Sequence, residues 1–262
     1  QSWLARPFTD NPRLVPNAYE AVSELARRAG LRIVRERMHW KETEPAPGVF
    51  DWKQYMRNAE LLSARGVEVS GMYHNAPAWT KNGEDAMLPA DLLATYDFAK
   101  KAAETFRGKM TVWEFWNEQD IGFSDAAAWD YAAAMKAAYL GFKAGNPDIT
   151  VLTGPFCVDT PAGFCRAALK SDLPQYFDVF SYHTYASPDN FPKLLEQIRQ
   201  ETRAAAEHQR ADAEIAAEQA EAALKQALAP WMIPLIIIGM LALVVFIVFI
   251  SNAERRLPVQ YA

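Results

Sequence analysis

This 262-residue chain has two cysteines, four histidines, no cluster of lysine or arginine, and no glycine-rich phosphate loop. Each shortage excludes something. Cys157 and Cys165 are too few for a disulfide scaffold; their spacing suits a small closed loop in an oxidising compartment, and equally suits two separate small residues. The histidines lie far apart and form no His-x-x-x-His or Cys-His set, so no metal is expected, and without a phosphate loop no cofactor is expected either. A formal charge of -5 with no concentrated cationic face argues against nucleic acid. The first residue is Gln1 and no apolar signal segment precedes Trp3, so an export signal has been removed or was never included.

What is present suffices for a sizeable core, in one barrel or two smaller units, since half of the residues are hydrophobic. Helices and strands alternate in the pattern of a parallel sheet beneath its crossover helices. Five strands are expected, at Leu31 to Arg37, Val67 to Tyr73, Thr111 to Trp116, Thr150 to Thr153 and Phe177 to Tyr182. Helices are expected at Pro16 to Ala29, Trp52 to Arg65, Asp91 to Phe106, Asp125 to Ala144 and Ala162 to Leu169, and Gly30, Gly66 and Gly145 stand just past helix ends, as left-handed caps.

From Leu194 to Leu228 the composition shifts to Ala, Glu, Gln and Arg, which predicts a single, mostly exposed helix with only a thin alanine stripe. Trp231 to Ile250 carries no charge, and a helix of that length spans about 30 Å, the thickness of a bilayer core. A transmembrane helix is therefore expected. Arg255 and Arg256 follow it, which places the C-terminus on the cytoplasmic side and the globular part outside. The fold class is α/β, an incomplete (β/α)8 TIM barrel of five or six parallel strands. The expected parts are the partial barrel (1–192), the polar helix (193–229), the membrane helix (230–251) and a short basic tail (252–262).

The chemistry concentrates at Val112 to Asp120, VWEFWNEQD, where an apolar, aromatic strand turns polar at its end. In a parallel barrel that end is the active-site face. A carboxyl beside indole rings is poorly solvated, so Glu118 suits a general acid/base; a Glu after a strand also favours the next helix N-terminus, and both readings stand. Asn117 donates and accepts hydrogen bonds, which positioning a hydroxylated ring requires, or serves as a turn residue. Arg35 supplies a permanent charge for a neighbouring carboxylate or a structural ion pair. His183 and Tyr185, two apart on a strand, share a face. His74, Asn75 and Trp79 follow the second expected strand as a polar and aromatic cluster able to line a ligand subsite.

Three segments, VRERMHWKETEPAPGVFDW (34–52), FWNEQD (115–120) and SYHTY (181–185), occur in an order and spacing that resemble glycoside hydrolase clan A, family 39 most closely, over about residues 17–192. The resemblance implies Glu118 as acid/base, Asn117 on the sugar 2-hydroxyl, Arg35 near the catalytic carboxylates, and His183 and Tyr185 lining the reactive sugar site. It implies retaining cleavage of β-xylosides or related polysaccharide. A retaining site needs two carboxyl groups about 5 Å apart. The family's nucleophilic Glu lies one helix beyond the His-x-Tyr motif, where this chain runs into the Ala/Glu-rich rod, so impaired turnover is expected. Glu36, Glu42 and Glu44 are expected in local turn and ion-pair roles. An open barrel edge calls for cover by a partner chain. The final thirty residues resemble a membrane helix and loop of the bacterial translocon subunit SecY, here as an anchor. A carbohydrate-binding pseudoenzyme and a membrane scaffold built on the rod are the alternatives.

Overall fold

The structure is a computed structural model that describes residues 18–83, 87–157 and 163–254, with side chains as far as residue 227. Its elements are α1 (Ala18–Arg28), β1 (Ile33–His39), α2 (Trp40–Thr43), α3 (Lys53–Ser63), β2 (Glu68–His74), α4 (Leu92–Thr105), β3 (Val112–Phe115), α5 (Ala128–Gly145), β4 (Thr150–Thr153), α6 (Gly163–Lys170) and α7 (Phe191–Glu254). The four strands pair in parallel in the order β1-β2-β3-β4. This is a partial parallel sheet with crossover helices, an α/β TIM-barrel-like fold. Residues 1–17 lie outside the described residues.

The fifth expected strand is a correction. Phe177 to Tyr182 runs beside β4 but joins it only through isolated parallel bridges at Leu152–Val179 and Phe156–Tyr182. The regular ladder is interrupted because side chains replace main-chain partners: the Val151 N–H donates to Asp178 Oδ2 and the Ser181 N–H to Thr153 Oγ1. Four strands and a bridged edge segment therefore stand where five strands were expected.

Register divides the sheet into two faces, because partners across a parallel pair project the same way. The outer face carries Tyr73, Trp113, Phe115 and Val151 beneath the helices. Trp113 lies between Phe106 and Phe142, at centroid separations of 5.7 and 5.4 Å, and Tyr73 touches Trp40, Phe98, Phe115 and Phe142. Helices α4 and α5 approach so closely that a Cβ on Gly141 would fall 2.2 Å from the Tyr96 carbonyl, and one on Gly145 2.4 Å from that of Lys100. The inner face instead carries Arg35, Arg37, His39, His74 and Glu114.

Two compact units divide the chain at Glu207 and His208. Leu194, Ile198 and Ala205 are buried and Glu201 pairs with Arg166, so the first turns of α7 belong with the barrel. The expected polar and membrane helices are also one element: α7 is a continuous helix of 64 residues, passing through Pro230 and Pro234. Among the residues whose side chains are described, no helix is long and apolar enough to cross a membrane; the side chains of 231–250, the expected span, lie outside that set, as does the tail from 255.

One residue breaks the apolar outer face. Glu36 is fully buried beneath α1 and α3, beside Tyr19, Tyr55 and Asn58, with both carboxyl oxygens unpartnered among the described residues. Burial pushes its carboxyl up to about 8; the Asn58 amide stands near enough to oppose this but does not complete a hydrogen bond. A folded-state value above the ordinary 4.5 gives a contribution fully present below pH 4.5 and lost as pH rises through about 8. We expect the urea midpoint to fall between pH 5 and 8, by at most about 1.4 kcal/mol per pH unit from this group. Glu36→Gln should flatten that limb, and an unchanged slope would refute the assignment.

Candidate active site

At the end of β3 the chain turns sharply. Trp116 and Glu118, on either side of Asn117, both occupy the left-handed region, with φ of 75° and 47°. Such conformations cost of order 1–3 kcal/mol each for residues other than glycine, so neighbours must hold them. The Trp116 N–H donates to the Tyr73 carbonyl at 2.9 Å, its indole Nε1 to the Phe123 carbonyl at 2.7 Å, and the Glu118 N–H to the Pro155 carbonyl at 3.0 Å. The end of β4 must come close for the last of these. Gly154 permits it: a Cβ there would fall 2.5 Å from both the Phe115 carbonyl and Gln119 Oε1.

The turn presents Glu118 beside His183, with Nδ1 and Oε1 2.6 Å apart and the carboxylate side chain 12% exposed. Either the imidazole N–H donates to the carboxylate or the carboxylic acid donates to the ring; in both cases the pair shares a proton along a short contact. Tyr185 is exposed near the same carboxylate, whose charge is the largest cause raising the phenol above its ordinary value.

Asn117 is anchored from below. Arg35 Nη2 donates to Asn117 Oδ1 at 3.1 Å while its Nε is ion-paired to Glu114 Oε2, and Ser181 Oγ donates to Glu114 Oε1 at 2.9 Å. Arg35, expected near a catalytic carboxylate or in a structural ion pair, thus pairs with Glu114 and reaches the site through Asn117. With its carbonyl oxygen engaged, Asn117 keeps its amide N–H groups for a ligand.

The structure brings Arg35, Asn117, Glu118, His183 and Tyr185 together. The other three expected residues lie elsewhere. His74 is 1% exposed and accepts from Arg37 Nε at 2.7 Å, with its ring edge-on to Trp116 at 6.1 Å; burial first, and then the Arg37 charge, pulls its imidazole down to about 2, so it is neutral. Asn75, also left-handed at φ 57°, contacts His39 Nδ1 through its amide at 3.1 Å. Trp79, partly buried, packs edge-on against Trp40 at 6.2 Å, against the core cluster.

Sequence reasoning missed Glu114, Ser181 and Arg37. Alternation offered a signal, since Glu114 shares the face of Asn117's supporting Arg35 once the register is known. Other nearby carboxylates are engaged: both oxygens of Asp120 accept from the Cys157 N–H at 3.0 Å, and Glu44 accepts from Trp40 Nε1 and the Gly48 N–H, each at 2.8 Å. Glu42 lies 3.4 Å from His39, and Glu36 faces the helices. No disulfide joins Cys157 to Cys165. Among the described residues, no group of three His, Cys, Asp or Glu side chains is arranged to hold a metal.

A TIM-barrel-like sheet carries a carboxyl, an amide, an imidazole and a phenol at its strand ends, and the domain is glycosidase-like in its structural neighbours. The solved structures that it resembles are accordingly glycoside hydrolases of family 39 and other clan A families. A family 39 glycoside hydrolase from the gut symbiont Bacteroides cellulosilyticus WH2 is 26% identical with a TM-score of 0.58, over 66% of this chain and 36% of that one. Xylanase 10B from Thermotoga petrophila RKU-1 is 18% identical with a TM-score of 0.55, over 73% and 64% of the two chains. An exo-β-1,4-mannosidase from an Opitutaceae bacterium, strain TAV5, is 14% identical with a TM-score of 0.51, over 73% and 47%. The present chain thus spans roughly a third to under two thirds of the length of these proteins. No protein-family model and no curated protein matches it. The likeness of the C-terminal residues to a translocon subunit finds no support in these structures.

Removing the guanidinium should strand a buried charge. The Glu114 side chain is 4% exposed, so Arg35→Met should destabilise the chain by about 3–5 kcal/mol in urea unfolding, and Arg35→Met/Glu114→Leu should recover most of that loss. A loss under about 1 kcal/mol would show that the pair carries little.

Proposed function

We propose that this chain is the acid/base-bearing part of a retaining β-glycoside hydrolase, acting on β-xylosides or related polysaccharide. The observation that carries the reading is the 2.6 Å contact of Glu118 with His183, beside Asn117, at the strand ends of a barrel-like sheet. In the retaining route a second carboxylate, not identified among the described residues, would take the anomeric carbon as Glu118 gives a proton to the leaving glycosidic oxygen; water would then displace that carboxylate as Glu118 takes the water's proton. His183 is placed to hold and exchange that proton. The Asn117 amide donates to a ring hydroxyl, fixing the sugar against the carboxyl. We also carry forward a membrane tether through 231–250, with the globular part outside and the C-terminus cytoplasmic, on the strength of that apolar run.

A specific observation favours a second reading, a carbohydrate-binding pseudoenzyme. Retention needs a second carboxylate about 5 Å from the first. Glu114 is held by Arg35 and Ser181, and Asp120 by the Cys157 N–H, so neither is offered as a nucleophile. Turnover by the chain as given should accordingly be slow.

Hydrolysis of an aryl β-xyloside by the chain and by Glu118→Gln separates the readings. The hydrolase predicts a weak wild-type rate that drops at least about 100-fold in the variant, with xylobiose still bound. Equal rates in the two proteins, or no rate in either, would remove the catalytic claim; binding without turnover would establish the pseudoenzyme.

A further inference from the structure

The loops that follow β2 and β3 leave the same end of the sheet as Glu118, because parallel strands direct their C-terminal ends alike. Between them lies a cavity of about 320 Å³, floored by Leu88, Pro89, Leu92 and Ala126 and edged by Asn82 and Asp130. Ala126 lies two residues before α5, and on that helix Trp129 and Asp130 stand four and three residues before Ala133, so each neighbours Ala133 on the helix surface. Trp129, 64% exposed, stands in sequence next to Asp130, which lines the cavity, and one helical turn before Ala133, which also lines it. Among the described residues, the Asn82 and Asp130 side chains make no hydrogen bond or ion pair.

We propose that this cavity is a second glycan-binding subsite, on the rim of the sheet, that takes one or two rings of an uncharged β-linked polysaccharide. The inference rests on the sugar-cleft reading above and adds a separate site to it. An exposed indole stacks on the apolar C–H face of a pyranose. The carboxylate accepts from hydroxyls and the amide both donates and accepts, while the apolar floor excludes water. The volume lies at the low end of small-ligand pockets, which suits one or two rings. Charge selects the occupant: Asp91, Asp125 and Asp130 stand at this rim, the first two accepting from the Ala94 and Met87 N–H groups, so an anionic glycan meets like charge. The rim would hold polysaccharide near Glu118 and raise its local concentration there.

Affinity electrophoresis of the full chain, in native detergent gels containing β-1,4-xylan, β-mannan or β-glucan, tests the proposal. Trp129→Ala and Asp130→Ala alter exposed side chains and should each weaken retardation about threefold or more. They should do so both in the wild-type background and in Glu118→Gln/His183→Ala. Retardation unchanged by either substitution overturns the rim subsite while leaving the cleft reading intact. A wild-type chain retarded by none of the three polysaccharides overturns both. Loss of retardation in Glu118→Gln/His183→Ala, with Trp129→Ala binding as wild type, assigns all binding to the cleft and likewise overturns the rim.

Discussion

The ion pair between Arg35 and Glu114 is the constraint on which the site depends. It crosses the inner face of the sheet from β1 to β3, over β2, in a position where an isolated carboxylate would be strongly disfavoured. Each partner has a further task. Arg35 fixes the Asn117 carbonyl oxygen, and Glu114 accepts the hydroxyl of Ser181. Ser181 lies on the bridged edge segment two residues before His183. Holding it therefore sets the register that brings His183 to Glu118, and the site forms around a charge pair that does not itself reach the ligand.

Backbone strain is concentrated at the same place. Three residues of the strand-end turns, Asn75, Trp116 and Glu118, occupy the left-handed region without being glycine. Main-chain and indole hydrogen bonds from β2, β4 and the Phe123 loop offset the cost at Trp116 and Glu118. A relaxed chain would continue the strand and carry Glu118 away from the edge segment. The turn instead aims the carboxyl along the strand ends, as expected where function and strain coincide.

The two faces of the sheet follow different chemistry. Outside, aromatic side chains pack between strands and helices, and the close approach of α4 and α5 leaves no room for a Cβ at Gly141 or Gly145. Inside, arginine, histidine and glutamate satisfy one another. Glu36 is the carboxyl on the outer face, without a hydrogen-bond partner among the described residues, and its proton is retained near neutral pH by burial. Its register beside Gly71 puts it opposite to Arg35, so it cannot serve Glu118.

The sequence by itself determined the alternating helices and the four strands of the sheet, near their observed limits, and the polar end of VWEFWNEQD that carries Glu118. These are local: a 3.6- or 2-residue period and an aromatic-to-polar switch are written in neighbouring residues. The pairing of Glu118 with His183 was legible only through the resemblance of two separated motifs. Tertiary structure decided the rest. Nothing near Glu114 announces Arg35, 79 residues away, and nothing near His74 announces the Arg37 that turns it into a packed neutral ring. It also reduced Phe177 to Tyr182 from a strand to a bridged edge, because Asp178 and Thr153 side chains took ladder positions that local propensity cannot foresee. Spacing along the chain sets which residues are available; register across the sheet, fixed by parallel pairing of distant strands, sets which of them meet.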